Sequence, residues 1–295
     1  MILVTGATGS IGTHLVRRLQ RDAVPFRALV RDERKGHALG CDFVVGDFDD
    51  EASIAAAMKG VDRLFLNAGG AQPALGEQPM IRQQKTAIDA ARSAGVSRIV
   101  KISVWRAHEG GRLAEGAHWE IERHLEESGV AWSVLQPSGF MQNFLTGAGS
   151  FTADGRLLGA YGDGAVSYID CQDIADCAAA LLTGPYGRGE TFVLTGPQAL
   201  TQAQVAAQIS DVLGRPVECL DLSPAELSAA LREQGLPAGF ADGVSVLSQE
   251  VASGALAATT TAVQDLTGRP ARTFEEFLTA NVDALRAALP SSSGR

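Results

Sequence analysis

Short runs of apolar, β-branched residues alternate with amphipathic helical patterns through the first 136 residues. This alternation predicts strands at 1–5, 26–30, 42–45, 63–67, 98–103 and 132–136. Between them it predicts a short helical segment near 37–39 and helices at 12–22, 51–59, 81–94 and 116–128. Because connections this short join parallel strands through right-handed crossovers, the pattern predicts an α/β protein with a doubly wound parallel sheet.

The regular alternation ends after Pro137. Positions 138–164 show no clear period, whereas later patterns predict strands at 167–169 and 190–194 and helices at 173–182, 201–213, 223–234, 243–252 and 273–288. We therefore expect a Rossmann core in residues 1–137, to which 165–197 returns. A smaller, mostly helical lobe would comprise 138–164 and 198–289, followed by a disordered tail at 290–295.

The amino-acid composition restricts the cellular location and the kinds of site that the sequence predicts. Hydrophobic residues make up 45% of the 295 positions, yet no stretch approaches the roughly 20 consecutive apolar residues of a membrane helix. The N-terminus lacks the basic leader of a signal peptide. Four cysteines, Cys41, Cys171, Cys177 and Cys219, are scattered without metal-ligand spacing. These features predict a cytoplasmic protein with reduced thiols, no metal and no membrane partner.

The net charge of −9 changes the list of possible partners. Lysine and arginine are spread along the chain and form no basic stripe. Nucleic-acid binding draws on clustered cations that displace phosphate counterions, so we expect no nucleic-acid partner. A protein partner, including a second copy in an oligomer, stays open.

The segment Ile2-Leu3-Val4-Thr5-Gly6-Ala7-Thr8-Gly9-Ser10-Ile11-Gly12 joins the first strand to the first helix. Gly6 permits a tight turn, Gly9 lets the main chain approach a pyrophosphate, and Gly12 lets the helix pack close to the strand. The helix N-terminus then offers free N–H groups to the phosphates. The arrangement predicts a bound dinucleotide.

The ends of the next strands refine this prediction. Arg31 stands nineteen residues past Gly12, where an arginine accommodates a ribose 2′-phosphate, so NADP(H) is preferred. Asp32 would favour NAD(H) if the register shifted by one residue. Asp47 stands where an acceptor could meet the adenine amino group. Asn67 ends the fourth strand. The small residues that follow it, Ala68 and Gly69, would let the chain pass against the cofactor.

Several further segments carry a family resemblance, among them VTGATGSIG, ALVRD, VVGDFDD, AARSAGVSRIVKIS, AHWEIERHLEESGVAWSVLQPSGFMQNFL and YIDCQDIADCAAALL. With them the chain resembles the NmrA-like atypical short-chain dehydrogenase/reductases, which include NADPH-dependent quinone reductases and triphenylmethane-type reductases. The resemblance implies a substrate lobe above the carboxyl ends of the strands. It also implies a dinucleotide pocket of Thr5, Gly6, Thr8, Gly9, Ser10, Ile11, Arg31, Asp47 and Asn67, with Pro137–Asn143 passing the nicotinamide.

The catalytic residues depart from the usual short-chain pattern. Ser103 occupies the serine position, but His118 and Glu122 stand where a Tyr-x-x-x-Lys pair is expected, and none of the three tyrosines begins such a motif. Two interpretations remain. His118 donates the proton, with Glu122 one turn later orienting the imidazole. Alternatively, water protonates the product and the protein only binds and orients.

Two loops are candidates for a pocket that takes a flat aromatic or quinone-like guest. One follows the fifth strand and offers Trp105 and His108. The other follows the sixth strand and offers Phe140, Met141, Asn143 and Phe144. Together these features favour an NADPH-dependent reductase of a quinone, enone or aromatic ketone, and a polyketide-like aromatic compound is one example of such a substrate. The alternatives are a non-catalytic NADP(H)-sensing regulator with a protein partner, or an isomerase or lyase that uses the dinucleotide structurally.

Overall fold

A computed structural model of the chain describes residues 1–73, 77–146, 151–185 and 189–289, so the predicted tail at 290–295 lies outside the described residues. The chain separates into two compact units. Unit 1 comprises 1–137, 171–194 and 262–269, and unit 2 comprises 138–170, 195–261 and 270–295.

The secondary structure follows the chain in this order. The strands are β1 (Ile2–Val4), β2 (Phe26–Val30), β3 (Phe43–Val45), β4 (Arg63–Leu66), β5 (Arg98–Ile102), β6 (Ala131–Pro137), β7 (Leu157–Gly159), β8 (Ala165–Val166), β9 (Glu190–Leu194), β10 (Leu200–Thr201) and β11 (Cys219–Asp221). The helices are α1 (Ser10–Arg21), α2 (Glu33–Ala38), α3 (Glu51–Ala57), α4 (Pro79–Ser93), α5 (Ala114–Glu127), α6 (Asn143–Thr146), α7 (Cys171–Thr183), α8 (Gln202–Leu213), α9 (Pro224–Glu233), α10 (Ala238–Ala252), α11 (Ala262–Thr267), α12 (Phe274–Ala280) and α13 (Val282–Ala288).

Unit 1 is built on a seven-stranded sheet with the spatial order β3-β2-β1-β4-β5-β6-β9, in which every neighbouring pair is parallel. The direction of strand addition reverses between β1 and β4. In sheets of this kind the reversal opens a crevice at the carboxyl ends of the strands, where ligands bind. The predicted doubly wound parallel sheet is therefore confirmed.

Helices cover both faces of this sheet because successive strand residues point to opposite sides. On one face, buried side chains of α3, α4 and α5 form a core with strand residues such as Leu66 and Val134. On the other, α1 packs against α7, and α7 packs on β4, β5 and β6. The predicted apolar stripe of α1, Leu15, Val16 and Leu19, is fully or almost fully buried.

The segments that return to unit 1 differ from the prediction of 165–197. They are 171–194, which carries α7 and β9, and 262–269, which carries α11. A buried carboxylate explains the second segment: Asp176 of α7 accepts 2.8 Å hydrogen bonds from Arg18 of α1 and from Arg269, just after α11. The hydrophobic periodicity of the sequence does not predict this contact among Arg18, Asp176 and Arg269.

Unit 2 is mostly helical, as expected, with two small two-stranded sheets that pair β10 with β8 and β11 with β7. Three of its helices, α8, α9 and α12, begin at capping boxes, and the box of α12 is formed by Thr273 and Glu276. The core contains Phe144, Tyr168 and Phe274, whose rings meet edge to face or tilted. No helix in the described ranges is long and apolar enough to cross a membrane.

Two predicted elements of unit 2 were wrong in detail. The helix expected at 273–288 is two helices, because the chain leaves helical geometry at Asn281, whose φ is −123°. The strand expected at 167–169 lies instead at Ala165–Val166. Ser167 turns its N–H to Leu256 O at 2.9 Å, so the ladder with β10 stops one residue earlier.

Candidate active site

The turn between β1 and α1 is closed by backbone contacts that leave no room for side chains at two of its glycines. Gly6 has a φ of +61°, and a Cβ there would lie 2.8 Å from Asn67 O. A Cβ on Gly12 would lie 2.1 Å from Gly6 O. The predicted roles of these two glycines, a tight turn and close helix–strand packing, match the contacts that the structure shows.

Gly9 differs from its two neighbours in the motif. It is exposed, and a Cβ added there would meet only Gly6 O, at 3.3 Å. Thr8 and Ser10 beside it are also exposed. Gly9 is the N-cap of α1 and supplies no side-chain cap, so the first-turn N–H groups of α1 stay available. An exposed residue without a Cβ, followed by uncapped helix amides, is what a pyrophosphate needs.

Two other predicted cofactor residues of this turn face the interior. Thr5 is fully buried: its hydroxyl accepts from the N–H of Asn67 at 2.9 Å and lies 2.8 Å from Asn67 O. Ile11 is 3% exposed and packs in the core. Both side chains therefore pack beneath the turn, and the hydrogen bonds of Thr5 connect the end of β1 to the end of β4.

The structure separates the two candidates at the end of β2. Asp32 is the N-cap of α2, where its carboxylate accepts from the N–H of Arg34 at 2.9 Å and also contacts the Arg34 side chain. Arg31 is exposed, and its charge contributes to lowering the pKa of Asp49. Asp32 is thus engaged in capping, whereas Arg31 presents its guanidinium at the surface beside the strand end.

The remaining cofactor candidates lie at neighbouring strand ends. Asp47, after β3, uses one carboxylate oxygen to accept from the N–H of Asp49 at 3.0 Å. Asn67 and Ala68 are half-buried after β4, and Gly69 is exposed. Since β1, β2, β3 and β4 are parallel neighbours, these positions share the carboxyl edge of the sheet with Gly9 and Arg31.

A buried polar cluster lies between β5, β6 and α5. Its members are Lys101 of β5, Ser103 directly after β5, His118 and Glu122 of α5, and Gln136 of β6. The first four are at most 6% exposed. The three predicted catalytic candidates, Ser103, His118 and Glu122, are thus brought together, and the structure adds Lys101 and Gln136.

From their spacing we expected Glu122 to orient His118, but the structure shows no contact of this kind. The Glu122 carboxylate accepts a short hydrogen bond from the Ser103 hydroxyl and two from Gln136 Nε2, at 3.1 and 3.2 Å. The prediction failed because both helix residues face the sheet, where each meets a different strand residue. Gln136, to which we assigned no role, holds the carboxylate.

His118 instead contacts Lys101, with 2.7 Å between His118 Nδ1 and Lys101 Nζ. Lys101 is fully buried and also donates to Ile102 O at 3.1 Å. Burial lowers the pKa of Lys101 to about 7, although the Glu122 carboxylate opposes that shift. Burial and then the charge of Lys101 lower the pKa of His118 well below 6.5. At neutral pH the imidazole is therefore uncharged.

The loop after β5 carries backbone strain. Arg106 and Leu113 have φ values of 68° and 49°, in the left-handed region that non-glycine residues rarely adopt. Trp105 is half-buried, and its N–H donates to Pro137 O at 3.0 Å, which fixes this loop to the end of β6. His108 is exposed, with Nδ1 2.7 Å from Arg106 O.

The second predicted substrate loop belongs to unit 2. Met141 and Phe144 are 1% and 4% exposed and pack in that unit's core, so their side chains do not line an open surface. They were predicted as pocket walls because apolar loop residues look alike in sequence whether they pack on a guest or on the protein. Phe140 is half-buried and Asn143 is exposed, and their contact with a substrate stays a prediction.

The chain was compared with known proteins. The model of the NmrA-like family matches residues 1–278. An NAD(P)H azoreductase of Xenophilus azovorans is 37% identical over 293 residues, which cover 98% of this chain and 100% of the relative. A (4-alkanoyl-5-oxo-2,5-dihydrofuran-3-yl)methyl phosphate reductase of Streptomyces griseus is 33% identical over 288 residues, 96% and 99% of the two chains.

A solved structure gives the same result in three dimensions. The NADPH-dependent quinone oxidoreductase of Escherichia coli, crystallised with NADPH, superposes with a TM-score of 0.82 at 30% identity. The match covers 96% of this chain and 100% of the other. The sequence match, the shared fold and the glycine turn agree, and the chain belongs to the NmrA-like family.

Proposed function

We propose that this protein uses NADPH to reduce a quinone, an enone or an aromatic ketone. The observation that carries the proposal is the turn between β1 and α1, where exposed Gly9, which has no Cβ, precedes uncapped helix amides. Exposed Arg31 at the next strand end adds a partner for a 2′-phosphate.

The coarser assignment rests on the family. The chain is an NAD(P)H-dependent oxidoreductase of the NmrA-like type, like relatives that match it over nearly their full length. Those relatives are named for azo, dihydrofuranone and quinone acceptors, all conjugated electrophiles. This shared chemistry supports a conjugated or aromatic acceptor here.

The residues present fit a dinucleotide at the sheet edge. Gly9, Ser10 and the first turn of α1 would hold the pyrophosphate, Arg31 the 2′-phosphate, and Asp47 and Asn67 would border the adenine and the nicotinamide half. When bound, NADPH supplies a hydride to the substrate. The chain's own residues must then position the acceptor and provide a proton where the product needs one.

We propose that the reduction proceeds without a tyrosine relay, since no tyrosine of the sequence begins a Tyr-x-x-x-Lys motif. Tyr161 and Tyr168 belong to unit 2, and burial raises the pKa of both phenols. The third tyrosine, Tyr186, lies outside the described residues. The polar groups that unit 1 gathers behind the strained loop after β5 are Ser103, His118 and Glu122, together with Lys101. These groups are the candidates for proton handling.

The test mixes purified protein with NADPH and a panel of quinones, enones, aromatic ketones and azo compounds, and follows the loss of reduced nicotinamide absorbance. We expect consumption that depends on an acceptor and is faster with NADPH than with NADH. The matched control is Gly9→Val, which should fold and fail to turn over. Tight NADPH binding with no consumption by any acceptor would overturn the reductase assignment and favour the regulator.

A further inference from the structure

Lys101 is a buried amine that hydride transfer alone does not use. It lies on β5 between Leu66 of β4 and Val134 of β6, in the row of side chains that faces α5. A fully buried lysine is rare, because removing an ammonium from water is costly unless other groups bind it. Its contacts therefore call for a reason beyond packing.

The hydrogen bonds of Lys101 fix the state of His118. A charged lysine has only donors, so Ile102 O and His118 Nδ1 must both accept from it. Because His118 is neutral, its proton then lies on Nε2. Within the described part of the chain Nε2 has no hydrogen-bonding partner, and the residue keeps 6% of its surface exposed. His118 thus presents Nε2–H as a donor, while Lys101 contacts the other ring nitrogen, Nδ1.

Neutral His118 is a poor acid by itself, because loss of its one N–H proton would leave an imidazolate. The loss becomes feasible if Nδ1 gains a proton at the same time. Lys101 Nζ, 2.7 Å from Nδ1, is placed to supply it. Ser103 cannot take this part, since its hydroxyl donates to Glu122.

We propose that Lys101 is the proton source of the reduction and that His118 passes this proton to the substrate oxygen by exchanging its tautomer. The proposal rests on the reductase function proposed above. His118 would touch the substrate, and Lys101 would act through it as a positioning and proton-supplying residue.

The step balances for a ketone. Hydride adds to the carbonyl carbon, and the C=O π pair moves to oxygen, which takes the proton from Nε2. Nδ1 takes a proton from the Lys101 ammonium, which becomes a neutral amine. The products are an alcohol, neutral His118 protonated on Nδ1, and neutral Lys101. After the alcohol leaves, a solvent proton enters at Nε2 and the Nδ1 proton returns to Lys101.

The surrounding charges set the pH range of this relay. The neighbours of Lys101 in β4 and β6 are apolar, and α5 supplies His118 and Glu122 as well as Glu115, a buried carboxylate one turn before His118. With a pKa of about 7, Lys101 is charged below that pH and loses its proton above it. Ketone reduction should therefore fall as the pH rises through about 7.

Two acceptors with different needs test the relay. An aromatic ketone takes a hydride and a proton, whereas a triarylmethane cation takes a hydride alone and gives a neutral product. In Lys101→Met we expect kcat for the ketone to fall about 100-fold or more and to lose its pH dependence, with KM little changed. Reduction of the cation should stay within about twofold. Lys59→Met, at an exposed lysine after α3, is the matched control and should change neither rate.

A second measurement works without turnover. The ¹⁵N shifts of the imidazole nitrogens, assigned to His118 with a His118→Gln variant, report its tautomer directly. At a pH about one unit below the pKa of Lys101, we expect the proton on Nε2 and a hydrogen-bonded, unprotonated Nδ1. Lys101→Met should release that preference.

The outcomes separate the two proposals. Equal losses with ketone and cation, no loss with the ketone, or an Nδ1–H tautomer in the wild-type protein would each overturn the relay while leaving the reductase function in place. A wild-type protein that consumes NADPH with none of the acceptors would instead contradict the proposed function, and the relay with it.

Discussion

Two regions of unit 1 carry the proposed chemistry, and they are stabilised in opposite ways. The turn between β1 and α1 is made of backbone: small residues, a left-handed Gly6 and carbonyl contacts that exclude any side chain at Gly12. The cluster of Lys101, Ser103, His118, Glu122 and Gln136 is made of side chains from three elements. In the turn, a side chain added at Gly6 or Gly12 would overlap with the backbone, whereas Gly9 is exposed. In the cluster, stability depends on each buried polar group keeping its hydrogen bond.

The difference has an energetic consequence. In the turn, an added methyl group acts through steric overlap, and its effect depends on whether it points to protein or to open space. In the cluster, a deleted partner acts by leaving a buried polar group without a hydrogen bond, which costs about 1–3 kcal/mol. Substitutions that separate these two mechanisms sharpen the comparison.

The largest effect is expected within the glycine motif itself. Gly12→Ala places a Cβ 2.1 Å from Gly6 O and should destabilise the fold by about 3 kcal/mol or more. In Gly9→Val the new Cβ meets only Gly6 O, at 3.3 Å, so the variant should lose less stability than Gly12→Ala while NADPH affinity falls about 100-fold. Thermal unfolding and calorimetric titration measure the two quantities. A Gly9→Val protein that binds NADPH normally would remove the turn from the cofactor site.

A smaller effect is expected from the cluster. Gln136→Met removes the amide that donates to both oxygens of Glu122, and we expect a loss of about 1–3 kcal/mol in urea unfolding. Gln20→Met is the matched control, because that exposed amide also donates to two carbonyls but can be replaced by water. Similar losses at the two sites would contradict the idea that burial makes the cluster sensitive.

The smallest effect separates Arg31 from Asp32. Arg31→Ala should weaken NADPH binding about tenfold and leave NADH binding unchanged, since a charge-assisted hydrogen bond to a phosphate is lost. Asp32→Ala removes a helix cap and should lower stability by about 1 kcal/mol without altering the preference between the two coenzymes. If Asp32→Ala were the variant that weakened NADH binding, the register at this strand end would be the alternative one.

The sequence predicts the turn well because its information is local. Gly6, Gly9 and Gly12 stand within one short segment between an apolar strand and an amphipathic helix, and physical rules fix what each must do. The capping box of Thr273 and Glu276 is likewise local, because its two residues stand three positions apart. Asp32 shows the limit of this approach, because only the structure reveals that its carboxylate caps α2.

The cluster could be predicted only in part. His118 and Glu122 were found because they occupy the Tyr and Lys positions of the short-chain motif, but their partners lie in or just after strands, 14 to 19 residues away in sequence. His118 pairs with Lys101 and Glu122 with Ser103 and Gln136, and no periodicity encodes that choice. One indication was present: Lys101 interrupts the buried strand Arg98–Ile102, and a lysine there requires a partner in the fold.

The most direct test of the account follows individual backbone amides of ¹⁵N-labelled protein by NMR during titration with NADPH. We expect the largest shifts at Ser10 and Ile11, whose N–H groups in the first turn of α1 would face the pyrophosphate, and no such shifts in Gly9→Val. Saturation with NADPH that leaves these amides unmoved while others shift would contradict the assigned cofactor site.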